Sequence, residues 1–399
     1  MGEQFDKAVS MREICKAIKE CKRGVSYKDG PMEWYLHSTS KAEKLQRDIK
    51  QGKYKLRPGT PVQIYRPKRR EAIAPWFRDR VWQRSMCNNG VYDDLTRSLC
   101  YDNVACQKGK GTDLAIRRTI KFMQQIYRET GTNEGWGVHL DVHKYFPMTP
   151  HAAVKAEDAK LLTEPKFLPY IEEIVDSIKD TREMELIRAD AFGERGTGLG
   201  SQINQLNQVA LLNGIDHRLK CFCDKSERYM DDFLIIDKSK DVCIEAERVV
   251  TEELAKRGLE CVNKSGLFRL SDGFYFLRHY FKLTDTGKVI LRLHPDAITG
   301  ERAALQGMKR AVDRGEITME QVRQHYQCWI AQAEYASGDG HIRDMDKFYT
   351  MTFRQKPVYK RKRRYLYGGS QNAARAGSGR APKERGAGGE ECGTGGRLV

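Results

Sequence analysis

The chain has 399 residues, of which 40% are hydrophobic and 31% charged, a composition typical of a soluble protein with a polar surface. This length exceeds what one hydrophobic core usually organises, so we expect two or three packed lobes with tails. No stretch approaches the roughly 18 apolar residues that would span a bilayer. The N-terminal residues 1–22 predict a surface helix and not an export signal. We therefore expect a cytoplasmic protein without a membrane partner.

The formal net charge is +16, and its distribution indicates a polyanion partner. Residues 354–399 contain 12 Lys and Arg against 3 Asp and Glu, so this tail carries +9 and the preceding body +7. Nucleic acid is the favoured partner, because each neutralised phosphate releases counterions; a basic surface that serves solubility is the alternative. The 11 cysteines show no zinc-ligand spacing, so neither a disulfide framework nor a structural zinc site is predicted.

The predicted elements alternate between helices and strands along the chain. Residues 1–60 have helical apolar spacing until Pro58, Gly59 and Pro61 interrupt it. Further elements follow from apolar periodicity: an extended run at 62–65, a helix at 77–87, a helix after the loop 108–112, a strand at 137–141, one long helix at 201–219, a strand pair around 231–232, a helix at 243–257, strands at 274–283 and 289–293, and helices over 300–350. The tail is rich in Gly and Ala and is predicted to be disordered.

Paired aspartates at a predicted turn are the sharpest feature of the sequence. Asp231 and Asp232 stand between two apolar strands. Two adjacent carboxylates in a packed hairpin repel each other unless a cation compensates them. Mg²⁺ prefers such oxygen ligands and leaves positions open for substrate phosphates. An exposed Asp-Asp turn is the ordinary alternative.

Asp141 favours the metal interpretation, because it is another acid at the end of an apolar strand. Phosphoryl transfer by two metal ions needs carboxylates that hold the ions about 4 Å apart. A strand-end aspartate and an Asp-Asp hairpin meet this need if the two elements pair in one sheet.

Several blocks, in order and with approximate spacing, resemble those of reverse transcriptases over residues 55–350. They are Lys68-Arg-Arg-Glu71 with Phe77-Arg-Asp-Arg80, the loop Lys108–Thr112, Asp141–Phe146, Gly198-Leu-Gly-Ser-Gln-Ile-Asn-Gln205, Tyr229-Met-Asp-Asp232, Asn263-Lys-Ser-Gly266 and Phe276-Leu-Arg-His-Tyr-Phe281. The chain looks most like the bacterial and phage enzymes of the retron, group II intron, diversity-generating and antiphage-defence types.

The resemblance implies an α+β fold arranged as a right-hand polymerase, with fingers, an antiparallel-sheet palm and a helical thumb. The implied division is an N-terminal helical extension at 1–60, fingers at 61–136, a palm with insertions at 137–294, a thumb at 295–350 and a basic disordered tail at 351–399.

The resemblance also implies roles for single residues. Asp141 and Asp231 would ligate two Mg²⁺ ions, for which Mn²⁺ could substitute, with Asp232 in support and Val142 as a further ligand. The implied substrate contacts are Lys68 and Arg70 for the triphosphate, Phe146 against a 2′-hydroxyl, Leu199 and Gly200 at the nascent pair, and Lys264 as a proton donor to pyrophosphate.

Two positions depart from the family pattern. Leu199 stands where group II intron and retroviral enzymes have glutamine, which resembles the diversity-generating class and predicts error-prone synthesis. Arg278 stands where the family usually has glycine in the primer-grip block, so the family pattern does not specify the local turn.

The implied partners are an RNA template, a DNA or RNA primer and deoxynucleoside triphosphates, with a dedicated non-coding RNA or an accessory protein as additional candidates. No nuclease cluster follows the helical lobe. Two alternatives stay open. One is an RNA-dependent RNA polymerase, which Phe146 disfavours, and the other is an RNA-binding splicing or assembly factor, which the intact acids disfavour.

Overall fold

The computed structural model describes residues 2–64, 70–177, 192–336 and 338–360, and within them helices and antiparallel strands are mixed. The predicted mixture of helix and strand is thus confirmed. Lys68 and the tail residues 361–399 lie outside the described residues.

The first part of the chain is mainly helical. Its elements are α1 (Glu3–Ala8), α2 (Met11–Lys22), α3 (Asp29–Leu36), α4 (Ser38–Lys50), the hairpin of β1 (Thr60–Ile64) and β2 (Arg70–Ala74), α5 (Phe77–Met86), a π-helical turn (Cys87–Val91), α6 (Tyr92–Thr96) and α7 (Thr112–Thr130). Helix α2 begins after Ser10, whose hydroxyl accepts a hydrogen bond from the Glu13 amide. Its buried face, which includes Ile18, packs with Trp82 of α5 in one core.

The middle part contains the central sheet. Its elements are β3 (Trp136–Val142), α8 (Tyr145–Met148), α9 (His151–Leu161), a 3₁₀ turn (Pro165–Phe167), α10 (Leu168–Asp176), α11 (Gln202–Leu211), α12 (Asn213–Lys220), β4 (Ser226–Tyr229), β5 (Asp232–Asp237), α13 (Lys240–Lys256) and β6 (Cys261–Arg269). The sheet is antiparallel in the order β4-β5-β3-β6. Its apolar residues, such as Val138 and Ile235, are buried together with Val250 of α13.

The last part combines a small sheet with three helices. Its elements are β7 (Phe274–Phe276), β8 (His279–Leu283), β9 (Val289–Leu293), α14 (Pro295–Asp313), α15 (Met319–Tyr335) and α16 (Asp339–Phe353). Helix α15 starts with a capping box between Thr318 and Gln321. Phe281 and Tyr326 are buried in a core that also receives Met123 of α7.

Two predicted elements are wrong in detail. The single strand expected over 274–283 is a hairpin, because Leu277 and Arg278 form a turn with φ of 45° and 63°. The single helix expected over 201–219 is interrupted at Leu212 (φ −95°, ψ 2°). Apolar spacing hides this break because both helices contribute to buried cores.

Among the described residues, no helix combines the length and the apolar character that crossing a bilayer requires.

Candidate active site

The acidic hairpin consists of β4 and β5 with a turn of two residues. Tyr229 pairs with Asp232, so Met230 and Asp231 form the turn. Met230 has φ 57°, the left-handed conformation that favoured two-residue hairpin turns need at their first central position. This conformation is uncommon for a residue with a side chain. The turn therefore holds Asp231 at its tip and Asp232 at the start of β5.

Asp141 lies at the same end of the sheet because β3 pairs antiparallel with β5. Leu140 is opposite Phe233, which places the next residue, Asp141, beside Asp232. One carboxylate oxygen from each of Asp141, Asp231 and Asp232 lies within 4.8 Å of the others. The structure thus brings together the three acids that the sequence predicts to converge.

The acidic cluster is electrostatically costly without a cation. Burial, together with the charges of Asp232 and Asp141, raises the pKa of Asp231 to about 6. Each of these causes disfavours the charged form of a carboxyl group. A metal ion at this position would compensate the charge and favour ionised Asp231.

Asp232 is held by two basic side chains, His139 from the adjacent strand β3 and Lys264 from β6, the next strand of the sheet. Its Oδ1 lies 3.0 Å from Nε2 of His139 and accepts a hydrogen bond from Nζ of Lys264 at 2.6 Å. Burial raises the pKa of Asp232, but the His139 hydrogen bond and the contacts with Lys264 outweigh it, so the pKa lies below its ordinary value. Lys264 also contacts Oδ2 of Asp141 at 3.0 Å.

The donor set fits a hard divalent cation such as Mg²⁺. Oδ1 of Asp141 is buried and has no hydrogen-bond partner among the residues that the structure describes. A buried carboxylate oxygen without a partner is unfavourable, and a metal ion is one of the few groups that satisfy it. Val142 is buried and pairs with Cys261 between β3 and β6, and its role as a metal ligand stays a prediction.

Phe146 stands five residues after Asp141, in the short helix α8. Its ring is partly buried and contacts the ring of Tyr145 edge-on at 6.0 Å between centroids. Its carbonyl accepts a hydrogen bond from the Thr197 amide at 3.0 Å. Tyr145 is fully packed, and its hydroxyl donates to the Gln208 carbonyl at 2.6 Å. Of the two aromatic residues, Tyr145 belongs to the core and Phe146 keeps a partly exposed ring.

Leu199 and Gly200 lie in the loop before α11 and contact strand β2 of the β1–β2 hairpin. The Ile73 amide donates to the Leu199 carbonyl at 2.7 Å. Gly200 has φ 125°, and a Cβ atom on it would lie 2.2 Å from the Ile73 carbonyl oxygen. Only glycine permits this approach. Arg70 begins β2, and Lys68 lies outside the described residues. The proximity of these two basic residues to the three aspartates stays a prediction.

A polar cleft of about 320 Å³ lies beside Gly200. Arg80 and Arg84 of α5 line it together with Gln202 and Gln205 of α11. Guanidinium and amide groups are suited to phosphates and base edges.

Sequence reasoning missed two residues of the site. His139 could have been found, because it lies two positions before Asp141 and strand side chains alternate between faces. Arg228 is buried and donates to the Met230 carbonyl at 2.8 Å. No sequence signal identified it, since its other partners, Asp216 and the Val209 carbonyl, lie on separate helices.

No protein-family model and no curated protein matches the chain. Among solved structures, apo telomerase from Candida tropicalis matches with a TM-score of 0.44 and 13% identity, covering 74% of this chain and 61% of that chain. A form truncated from the C-terminal domain gives a TM-score of 0.40 and 14% identity, with coverage of 63% and 60%. Telomerase from Candida albicans, in complex with a TWJ fragment of telomeric RNA, gives 0.42 and 11%, with coverage of 80% and 60%. This chain spans about 60% of the length of these telomerase chains.

Proposed function

We propose that this chain is an RNA-directed DNA polymerase that extends a primer 3′-hydroxyl with deoxynucleoside triphosphates. The observation that carries the proposal is the convergence of Asp141, Asp231 and Asp232, with oxygens within 4.8 Å of one another at one end of an antiparallel sheet. The basic chain, with a net charge of +16, supports a nucleic-acid template and primer.

The three aspartates would hold two magnesium ions, with Mn²⁺ as a substitute. When bound, these ions activate the attacking 3′-hydroxyl and neutralise the negative charge of the triphosphate. Asp141 and Asp231 would ligate the ions, while Asp232 is oriented by His139 and Lys264.

Lys264 provides a positive charge next to the three aspartates. Burial lowers the pKa of Lys264, but Asp232 and Asp141 more than offset this effect, so the pKa is raised and the ammonium group stays protonated. When the aspartates bind metal, this ammonium is available to bind the departing pyrophosphate and to donate a proton to it.

Phe146 selects the sugar of the incoming nucleotide. Its partly exposed ring belongs to α8, the short helix that follows the strand carrying Asp141. An aromatic ring under the sugar leaves no room for a 2′-hydroxyl, which favours DNA as the product over RNA.

The division into polymerase parts belongs to the same proposal. Fingers at 61–136, a palm at 137–294 and a thumb at 295–350 are consistent with one acidic sheet between helical regions. Residues 1–60 extend the fingers, and the basic tail at 351–399 supplies further affinity for RNA. A non-coding RNA or an accessory protein is a candidate for the template or the partner in the cell.

Primer extension tests the proposal. Purified protein with Mg²⁺, an RNA template and a DNA primer should incorporate deoxynucleotides, and Asp231→Asn should reduce the rate at least a thousandfold because a shared metal ligand is lost. RNA binding should persist in that variant. Asp224→Asn, an exposed aspartate before β4, is the matched control and should retain full activity.

The other outcomes separate the alternatives. Extension with ribonucleotides in preference to deoxynucleotides would indicate an RNA polymerase. RNA binding without extension under any of these conditions would indicate an RNA-binding assembly factor.

We also propose that synthesis is error-prone. Leu199 lies directly before Gly200 and cannot donate the side-chain hydrogen bond that glutamine would offer near the nascent base pair. Leu199→Gln should therefore lower the misincorporation frequency several-fold, measured by sequencing the products. An unchanged error frequency would refute this explanation.

A further inference from the structure

We propose that Arg228 is the positioning residue that fixes the acidic turn and thereby the direction of the Asp231 carboxylate. The functional meaning of this inference rests on the proposed function, but the contacts of Arg228 from which it is argued do not. Arg228 is only 1% exposed, although a guanidinium group is strongly hydrated in water. A buried cation at this depth is retained only when nearly all of its donors have partners.

The guanidinium group of Arg228 joins the turn to two helices. Nε and Nη2 donate to Oδ1 and Oδ2 of Asp216 in α12, at 2.8 and 2.7 Å. Nη2 also donates to the Val209 carbonyl in α11 at 2.9 Å. The remaining nitrogen, Nη1, donates to the Met230 carbonyl at 2.8 Å. The bidentate pair with Asp216 fixes the plane of the guanidinium, and this plane aims Nη1 at the turn.

Asp216 is itself fixed from a second direction. It is 6% exposed, and its Oδ2 also accepts a hydrogen bond from Nδ2 of Asn103 at 3.2 Å. The backbone of Arg228 is paired as well, since its amide donates to the Asp102 carbonyl and its carbonyl accepts from the Val104 amide, both at 3.0 Å. The anchor of the turn is therefore rigid at both its side chain and its backbone.

The turn needs such an anchor for two physical reasons. Met230 adopts φ 57°, a conformation that a residue with a side chain leaves readily unless its surroundings hold it. Asp231 is next to two other carboxylates, which repel it from the positions needed to share a metal ion. The hydrogen bond from Arg228 holds the carbonyl of the residue immediately before Asp231. It therefore opposes both tendencies without contacting substrate or metal.

A positioning role predicts a change in metal dependence and not only in stability. In Arg228→Lys, the ammonium group keeps the charge that compensates Asp216 but cannot donate to Asp216, Val209 and Met230 in one plane. We expect kcat for primer extension to fall at least tenfold and the Mg²⁺ concentration for half-maximal activity to rise several-fold. KM for deoxynucleotides and the affinity for primer–template should change less than twofold.

Arg118→Lys is the matched control. Arg118 in α7 donates from Nε and Nη2 to the two carboxylate oxygens of Asp102, which lies in the loop before α7. Among the described residues Arg118 has no hydrogen bond to Met230 or Asp231, and the Asp102 carbonyl that accepts from the Arg228 amide is a backbone group that the substitution leaves in place. It should lose a comparable amount of thermal stability while its Mg²⁺ dependence stays that of the wild type. If Arg228→Lys changes only the melting temperature, with kcat and Mg²⁺ dependence like those of Arg118→Lys below that temperature, the positioning role is refuted.

A second variant and a second measurement keep the inference independent of folding and of activity. Asp216→Asn retains Arg228 and weakens its anchor, so it should shift the Mg²⁺ dependence in the same direction by a smaller factor.

Mn²⁺ binding followed by electron paramagnetic resonance needs no nucleotide. Weaker Mn²⁺ binding in Arg228→Lys, in a protein that does not extend primers, would support the positioning role while the proposed polymerase function fails. Unchanged Mn²⁺ binding and unchanged extension would overturn the positioning role alone.

Discussion

Asp231 and Asp232 are neighbours in sequence, yet their pKa values are displaced in opposite directions. The sequence predicts that two such carboxylates repel each other, but not which of them becomes the harder to ionise. The answer depends on His139 and Lys264, which reach Asp232 from β3 and β6. Side chains from separate strands meet only through sheet register, and single-sequence patterns do not specify that register.

Glu227 is a second acid whose environment could not be predicted from its neighbours in sequence. Its side chain is buried beneath α7 and is hydrogen-bonded to the Thr119 hydroxyl. Burial raises the pKa of Glu227 to about 8, with a further contribution from the charge of Asp102, and the Thr119 hydrogen bond offsets only part of this rise. The folded protein therefore keeps Glu227 protonated at neutral pH.

This protonation makes stability depend on pH with a definite sign. In an unfolded chain a glutamic acid has a pKa of about 4.3. Between that value and about 8, folded Glu227 holds a proton that the unfolded chain has released. The unfolding free energy should therefore fall as pH rises through this window, by up to about 1.4 kcal/mol per pH unit from this one group.

Glu227→Gln should remove this contribution, because glutamine keeps the shape and cannot ionise. We expect the variant to be more stable than the wild type at pH 9 and to have a shallower decline between pH 5 and 8, measured by urea unfolding. Asp158, whose pKa burial raises to about 8, remains in both proteins and preserves part of the slope. Glu252→Gln, on the exposed face of α13, is the control and should follow the wild-type curve. Parallel curves for Glu227→Gln and the wild type would contradict the prediction.

At the scale of elements, the sequence predicted the acidic hairpin but not the second hairpin at 274–283. Leu277 and Arg278 both adopt left-handed backbone conformations, which two-residue turns usually obtain from Asn or Gly. Because arginine and not glycine stands at position 278, the sequence does not indicate this turn, although the turn forms. Packing supplies the reason, since Phe276 and Phe281 on either side of the turn are buried in one core.

The connection between β2 and the loop before α11 was also invisible in the sequence. Ile73 and Leu199 are far apart along the chain, and their contact is a backbone hydrogen bond that any pair of residues could make. Gly200 indicated part of this contact, because glycine often stands where another backbone segment approaches closely. Its partner, the Ile73 carbonyl, could be named only from the structure.

At the scale of the whole molecule, the described N-terminal helices are built into the body of the protein. The prediction that residues 1–60 form a helical extension stays a prediction as a domain boundary, but their apolar side chains do not form a core of their own. Ile14 and Ile18 of α2 share one buried cluster with Trp82 of α5, Ile171 of α10 and Leu206 of α11. The same helix α11 begins two residues after Gly200 and lines the polar cleft with Gln202 and Gln205, so the N-terminal helices share a core with a helix that lines this cleft.

This shared core predicts that damage in α2 reaches the candidate active site. Ile18 is fully buried, and its replacement by alanine should lower the unfolding free energy by about 2–5 kcal/mol. Because α2 and α11 pack in one cluster, Ile18→Ala should lower the urea midpoint of the main unfolding transition and the temperature at which primer extension is lost. Tyr27→Ala, at a side chain that is 79% exposed, should change neither. If residues 1–60 unfold in a separate transition and the temperature at which primer extension is lost does not change, these residues are instead an independent appendage.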